Sequence, residues 1–401
     1  MIQVSVLGYG TVGSGVVHVI DTNHDSILKK TGADLSVKYI LDLREFPGDP
    51  NENKVVHDFQ VILDDPEVKI VVETMGGNEP AYTFTKKALM AGKSVCTSNK
   101  ELVANHGTEL LQIAKENNVS YLFEASCGGG IPIIRPLRVS LGADVLDEIT
   151  GIVNGTTNFI LTKMIDDGAA YEDVLREAQA MGYAERNPAA DVEGHDACRK
   201  IAILSSLAYG KRVDFNDIYT EGITKITQED IKYAKAMGCT IKLLAYSHKN
   251  GEEVTAMVSP FMVDKNDPLA AVNGVFNAIF VHGNMLGDAM FYGRGAGKEA
   301  TASAVVGDVI EEAQNVGRSV VSEWAPEKQE LTPVSDTRRK FFVRMADHVH
   351  AEDILPVFGN IELIDGEVEG EFGFVTEEMS EAEFAAAVEK TGGILGRIRM
   401  R

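Results

Sequence analysis

Asp196 and Lys200 stand four residues apart in Gly194-His195-Asp196-Ala197-Cys198-Arg199-Lys200-Ile201-Ala202-Ile203-Leu204, whose apolar spacing predicts the opening of an amphipathic helix. One helical turn puts both side chains on one face. A lysine beside a carboxylate, ahead of apolar residues that pack the helix down, can hold its ammonium in place and aim it at a substrate oxygen, protonating a carbonyl without a metal. The competing reading on spacing alone is a solvated ion pair worth under about 1 kcal/mol. His195, next to Asp196, projects about 100° away on a helix and is set aside as non-catalytic.

A second chemistry lies at the start of the chain. The apolar run Ile2-Gln3-Val4-Ser5-Val6-Leu7 leads into Gly8-Tyr9-Gly10-Thr11-Val12-Gly13, followed by a helical pattern through Val16, Val17, Val19 and Ile20. In this strand, turn and helix order, Gly8 permits the tight turn, Gly10 lets a pyrophosphate approach the backbone beside Thr11 and Val12, and Gly13 lets the helix lie close on the strand. The second strand, 36–41, ends at Asp42, a candidate acceptor for the ribose hydroxyls of NAD, while Arg44 could meet the extra phosphate of NADP. Gly76 and Gly77 follow the strand 68–73 at the carboxyl edge where doubly wound sheets hold cofactors. Ser98 and Lys100 sit at the end of the next strand, so Lys100 is a second candidate acid or substrate anchor, against the plain reading of a helix-start lysine. Gly155 and Thr156, in Gly151-Ile152-Val153-Asn154-Gly155-Thr156-Thr157-Asn158, open a helix whose backbone N–H groups suit a substrate carboxylate.

These residues need a scaffold, and length and composition supply it. A chain of 401 residues suggests two or three domains. With 38 Lys plus Arg against 60 Asp plus Glu, the net charge of −22 disfavours nucleic acid and anionic membranes as partners. Cys96, Cys127, Cys198 and Cys239 lie far apart without metal-type spacing, which fits a reducing compartment. No leader and no bilayer-length apolar run are evident, so a cytoplasmic location is expected.

The element pattern is α/β. Strands at 68–73, 94–97 and 120–124 alternate with a helix at 81–91 and one at 102–117 interrupted near Asn105-His106-Gly107, which predicts a parallel, doubly wound Rossmann sheet. After Gly128-Gly129-Gly130-Ile131-Pro132 helices dominate. Runs at 240–247, 254–263, 274–282 and 285–292 then read as strands of a mixed or antiparallel sheet. A looser segment, 322–336, reads as a linker into a small α+β unit with strands at 340–346, 370–375 and 394–398 and a helix at 381–390.

Gly8-Tyr9-Gly10-Thr11-Val12-Gly13, Glu73-Thr74-Met75-Gly76-Gly77, Ser98-Asn99-Lys100, Asn154-Gly155-Thr156-Thr157-Asn158, Gly182-Tyr183-Ala184-Glu185 and Asp191-Val192-Glu193-Gly194-His195-Asp196-Ala197-Cys198-Arg199-Lys200 together resemble homoserine dehydrogenase, in order over about the first 320 residues. The resemblance implies reversible hydride transfer between NAD or NADP and L-aspartate 4-semialdehyde, giving L-homoserine for threonine and methionine synthesis. It implies Lys200 as proton donor or acceptor with Asp196 its partner, Lys100 completing the catalytic site, and Glu185, Asp191, Tyr183, Gly155 and Thr156 on the substrate. It further implies a monovalent cation, Na⁺ or K⁺, at Glu124 with carbonyls near Cys127, Gly129 and Ile131. The implied domains are 1–130 for the dinucleotide, completed by 298–321, then 131–297 for substrate and dimerisation, and 337–401. The expected assembly is a homodimer or a tetramer.

The chain departs from the family pattern at Cys127, at Gly293-Arg294-Gly295-Ala296-Gly297-Lys298-Glu299-Ala300-Thr301, which lacks a proline before its threonine, and at Leu41-Asp42-Leu43-Arg44. The 337–401 segment resembles a shortened ACT domain, a threonine-sensing module. Asp347-His348-Val349-His350-Ala351-Glu352-Asp353 replaces the Pro-Gly turn that would face an effector, so little threonine inhibition is expected. Two other readings stand beside the enzyme: a catalytically silent nucleotide sensor on the same fold, and another semialdehyde or imine reductase. Lys100, Glu185, Asp191, Asp196 and Lys200 together disfavour the sensor, and the 154–158 segment with the Asp196/Lys200 helix disfavours the other reductase.

Overall fold

The computed structural model describes residues 1–320, 324–364 and 367–401. Residues 321–323, which hold the end of the expected 298–321 segment and the start of the expected linker, lie outside the described residues, as do 365 and 366. The described residues form two compact units. One is Met1–Val145 with Ala202–Asp214 and Phe291–Gln329; the other is Leu146–Ile201 with Phe215–Met290 and Glu330–Arg401. Residues 131–145 pack with the first unit, and the chain after Glu330 packs with the second.

The first unit carries a six-stranded sheet in the order Val55–Val56, Leu35–Leu41, Ile2–Leu7, Val68–Glu73, Ser94–Thr97, Tyr121–Leu122. Every pairing in it is parallel, the doubly wound arrangement expected from the alternating pattern. Strand order reverses between Ile2–Leu7 and Val68–Glu73, which places a ligand crevice at their carboxyl ends. Val4, Val6, Val16 and Ile20 bury against Ala302, Val305 and Val309 of the helix Lys298–Gln314, so the late segment completes this unit without the missing proline. Gly297, at φ +122°, stands at the start of that helix.

Two elements differ from expectation. The helix Lys100–Glu116 is continuous through residues 105–107. Gly107 is required there by packing, since a Cβ would lie 2.9 Å from the Trp324 ring. The expected strand 120–124 shrinks to Tyr121–Leu122, and Glu124 enters a short 3₁₀ turn, Glu124–Ser126, with its side chain accepting the N–H of Ile134 ten residues on.

The second unit is built on one large sheet. Its path runs Gly287–Arg294, Phe276–Gly283, Leu146–Ile152, Cys239–Asn250, Glu253–Asp264, Ile394–Met400, Phe341–Ala346, Glu371–Thr376, Ile361–Ile364. Cys239–Asn250 and Glu253–Asp264 pair antiparallel over their full length, with Ala245 opposite Val258. The late strands are not a free-standing sheet: Ile394–Met400 adds in parallel to Glu253–Asp264, with Phe261 opposite Arg399. The segment from Phe341 to Met400 has strand, helix, strand, strand, short strand, helix, strand order, including the helix Ala351–Phe358, the strand Ile361–Ile364 and the two-residue strand Met379–Ser380 that patterning does not single out. Phe341, Ile354, Phe358, Phe374 and Phe384 form its core.

Candidate active site

In the second unit, local signals place the chemistry. Asn154, extended at the end of Leu146–Ile152, caps the helix Gly155–Asp167, its Oδ1 accepting the Thr157 N–H at 2.9 Å. The helix His195–Tyr209 brings Asp196 and Lys200 onto one face, as the four-residue spacing requires. Lys200 Nζ donates to Asp196 Oδ2 at 2.6 Å and to the Val153 carbonyl at 2.7 Å. Asp196 is 3% exposed and Lys200 8%, so the solvated-pair reading fails. Asn154 Nδ2 donates to Asp196 Oδ2 at 2.9 Å and to Asp191 Oδ1 at 2.7 Å. One amide therefore ties the expected substrate contact to the expected catalytic pair. The role of Asn154 is one that the motif 154–158 carries without naming it: an Asn before Gly-Thr-Thr at a strand-to-helix junction is the cap signature.

Thr156 Oγ1 donates to the Tyr183 carbonyl at 2.6 Å, joining the helix start to the loop that carries Glu185. Tyr183 packs its ring edge on Phe159 at 5.1 Å, and Glu185 is exposed. No acidic residue occupies the first turn of Gly155–Asp167 itself. His195 is exposed to solvent, whereas Asp196 and Lys200 are buried.

In the first unit, Gly8 has φ +89°, and a Cβ on Gly13 would collide with the Gly8 carbonyl oxygen, so both glycines are structurally required. Around Gly10 no atom beyond its own chain neighbours lies within 4 Å of where a Cβ would be, leaving room for a phosphate group. Thr11 and Val12 open the helix Thr11–Thr31, whose first turn has no acidic residue. A cavity of about 470 Å³ is lined by Gly8, Gly10, Asp42, Arg44, His57 and Thr74 among others. These features fit a dinucleotide.

Asp42 and Arg44, expected as alternatives, are paired: Arg44 Nε and Nη2 each donate to the Asp42 carboxylate at 2.9 Å, and the Tyr9 N–H adds a third bond at 2.8 Å. That guanidinium holds the Asp42 carboxyl well below the usual range. His57, which sequence reasoning missed, meets the Asp42 carbonyl at 2.7 Å. Gly76 and Gly77 turn with φ +76° and +68°. Glu73 is fully buried, accepts from Thr97 Oγ1 at 2.6 Å and the Met75 N–H at 2.8 Å, and has its carboxyl pushed up by burial. Asn99 donates to the Gly77 carbonyl at 2.7 Å and caps the helix that begins at Lys100, one residue after Ser98-Asn99. Glu73 and Asn99 thus set the loop and the lysine.

The expected cation residues change meaning. Glu124 accepts N–H bonds from Ile134 at 2.8 Å and Arg135 at 2.7 Å, besides a short one from Ile133, so its carboxylate caps the following turn and is not free as a cation ligand. Gly129, at φ +59°, and Ile131 lie in a turn where the Ile131 N–H bonds the Gly128 carbonyl, next to buried Cys127. What remains for an ion there is backbone carbonyl oxygen.

Residues 8–124 match the family described as the NAD binding domain of homoserine dehydrogenase, and residues 132–310 match homoserine dehydrogenase itself. The homoserine dehydrogenase of Bacillus subtilis (strain 168) is 41% identical over 368 residues, which is 90% of this chain and 84% of the relative. That of Neisseria gonorrhoeae is 38% identical with the same coverage. Among solved structures, a homoserine dehydrogenase from Thiobacillus denitrificans superposes with a TM-score of 0.91 at 35% identity, covering 100% of this chain and 98% of its own. A hyperthermophilic archaeal homoserine dehydrogenase in complex with NADPH gives 0.68 at 30% identity, covering 78% and 98%. An oxidoreductase acting on CH–OH, with a NAD-binding Rossmann domain, this chain belongs to the homoserine dehydrogenase family.

Proposed function

We propose that the protein interconverts L-aspartate 4-semialdehyde and L-homoserine, the step that serves threonine and methionine synthesis, using NAD or NADP. The bound nicotinamide supplies or accepts the hydride. Lys200 gives its proton to the aldehyde oxygen in reduction and removes it in oxidation. Asp196 holds Lys200 aimed, because the pair is buried and held at 2.6 Å. Glu185 and Asp191 receive the substrate ammonium, and the Gly155 and Thr156 N–H groups at the helix start receive its carboxylate. Lys100 is the second cation of the site, and Gly8 to Gly13, Asp42, Arg44, Gly76 and Ser98 hold the cofactor.

The observation that carries this reading is the continuous Asp191, Asn154, Asp196, Lys200 network. It joins an anchor for an amino acid to a proton donor inside one protein-shielded site. The carbonyls of Glu124, Cys127, Gly129 and Ile131 would serve a monovalent cation, and a homodimer formed through the large sheet is the assembly proposed. Absorbance of the reduced cofactor, followed with L-homoserine and separately NAD and NADP, tests the function. Nucleotide binding without turnover by the folded protein would favour a silent sensor and sink the enzymatic reading.

A further inference from the structure

Within the second unit, Lys242 on the strand Cys239–Asn250 is fully buried and belongs to none of the groups assigned above. Its Nζ donates to the Val272 carbonyl at 2.6 Å, to Asn273 Oδ1 at 2.8 Å and to Asn158 Oδ1 at 3.4 Å, all neutral oxygens. No carboxylate pairs with it among the described residues; Asp166, whose field acts on it, lies at the far end of the helix Gly155–Asp167. Burial pushes its ammonium down to about 8, so it is charged at neutral pH. A buried cation without a counter-ion is costly, and an apolar side chain of similar length would serve the sheet better if packing were the only demand.

What the ammonium touches points to its use. Asn158 Nδ2 donates to the Val272 and Phe276 carbonyls at 3.1 and 3.0 Å, and Thr162 Oγ1 accepts the Gly274 N–H at 2.9 Å. Lys242 and Asn158 thus hold the turn 272–276 on the first part of the helix Gly155–Asp167. The turn extends to the helix start, since a Cβ on Gly155 would stand 3.0 Å from the Val275 carbonyl. Asn158 is less than one helical turn beyond Gly155, which puts the ammonium roughly 10 Å from a carboxylate received by the Gly155 and Thr156 N–H groups. At an effective dielectric of about 20, a unit charge at that distance changes affinity by somewhat more than tenfold, and burial spares it most salt screening. We propose that Lys242 is a positioning residue for substrate recognition: its bonds hold an uncompensated positive charge beneath the helix start, so the site favours the carboxylate end of an amino-acid substrate. This rests on the carboxylate placement at Gly155 and Thr156 proposed above.

Two singly charged fragments of L-homoserine, used as inhibitors at neutral pH, test this: 4-hydroxybutyrate keeps the carboxylate and 3-aminopropan-1-ol keeps the ammonium. Lys242→Gln retains a hydrogen-bond donor without the charge, and Lys242→Met removes both. In each variant the KM for L-homoserine and the inhibition constant of 4-hydroxybutyrate should rise together by at least about tenfold. The kcat, the cofactor Kd and the inhibition constant of 3-aminopropan-1-ol should stay within about twofold of the wild type. Unchanged constants for L-homoserine and 4-hydroxybutyrate overturn the proposal. So do equal losses for both fragments, the pattern that displacement of the helix alone would give, and so does wild-type behaviour of Lys242→Gln, which would assign the effect to the hydrogen bond. Turnover of L-homoserine by the wild type in any of these cases leaves the catalytic reading intact, whereas its absence sinks both.

Discussion

Replacing Lys200 by Met removes a proton donor and also uncovers a buried charge, and the structure separates the two effects. Lys200 Nζ is held at 2.6 Å by Asp196 Oδ2 and at 2.7 Å by the Val153 carbonyl, with both side chains less than a tenth exposed. Breaking such a pair from one side costs about 3–5 kcal/mol, because it leaves a buried carboxylate without its cation. Losing a positioned acid costs a further ~10²–10⁴ in turnover, independent of folding. Lys200→Met should therefore bind cofactor, melt earlier and turn over at least about a hundredfold more slowly. The double variant Asp196→Asn, Lys200→Met removes the stranded charge; it should recover most of the lost stability and none of the activity. Urea unfolding of the four proteins of this cycle, read beside reduced-cofactor absorbance, gives both quantities. Near-normal turnover in folded Lys200→Met would refute the catalytic assignment, and an unchanged unfolding midpoint would refute the electrostatic argument.

Asp42→Ala deletes a carboxylate that repels a 2′-phosphate and frees Arg44, so the kcat/KM ratio of NADP to NAD should rise; an unchanged ratio removes the Asp42–Arg44 pair from the cofactor site. Lys242 is fully buried among the Val272 carbonyl and the Asn273 and Asn158 amide oxygens, and burial pushes its ammonium down to about 8. Between about pH 8 and 10.5 the unfolded lysine binds the proton that the folded one has released, so stability should climb with pH across that window, a slope that Lys242→Met abolishes in denaturant titrations. Ending the chain after Asp336 removes Phe341–Ala346 and Ile394–Met400 from the large sheet and strips Arg399 from Glu221 and Ser259, so the shortened protein should melt several degrees lower or fail to assemble; an unaltered midpoint and mass by light scattering would contradict that. Activity in Na⁺, K⁺ and a large organic cation at constant ionic strength should differ if backbone carbonyls near Cys127 and Gly129 hold an ion, and Glu124→Gln should chiefly lower stability, because its carboxylate receives the Ile134 and Arg135 N–H groups.

Local chemistry made much of this molecule readable from its residues. A glycine turn between a strand and a helix, a four-residue Asp–Lys interval and an Asn before a helix depend on neighbours within a few positions, so Gly8, Gly13, the Asp196–Lys200 face and the start of Gly155–Asp167 followed from sequence. The parallel sheet followed too, because its strand and helix periods alternate. Burial and partnership were decided by tertiary contacts between residues distant in the chain. Only the fold could turn Asp196 and Lys200 from a surface pair into a buried one, link Asp191 to them through Asn154 across 37 positions, and spend the Glu124 carboxylate on backbone N–H groups. Only the fold could lay Ile394–Met400 against Glu253–Asp264, since parallel pairing of segments so far apart leaves no local pattern. A side chain's type and spacing are set by its sequence neighbours; its dielectric surroundings and its hydrogen-bond partners are set by whatever the rest of the chain packs against it.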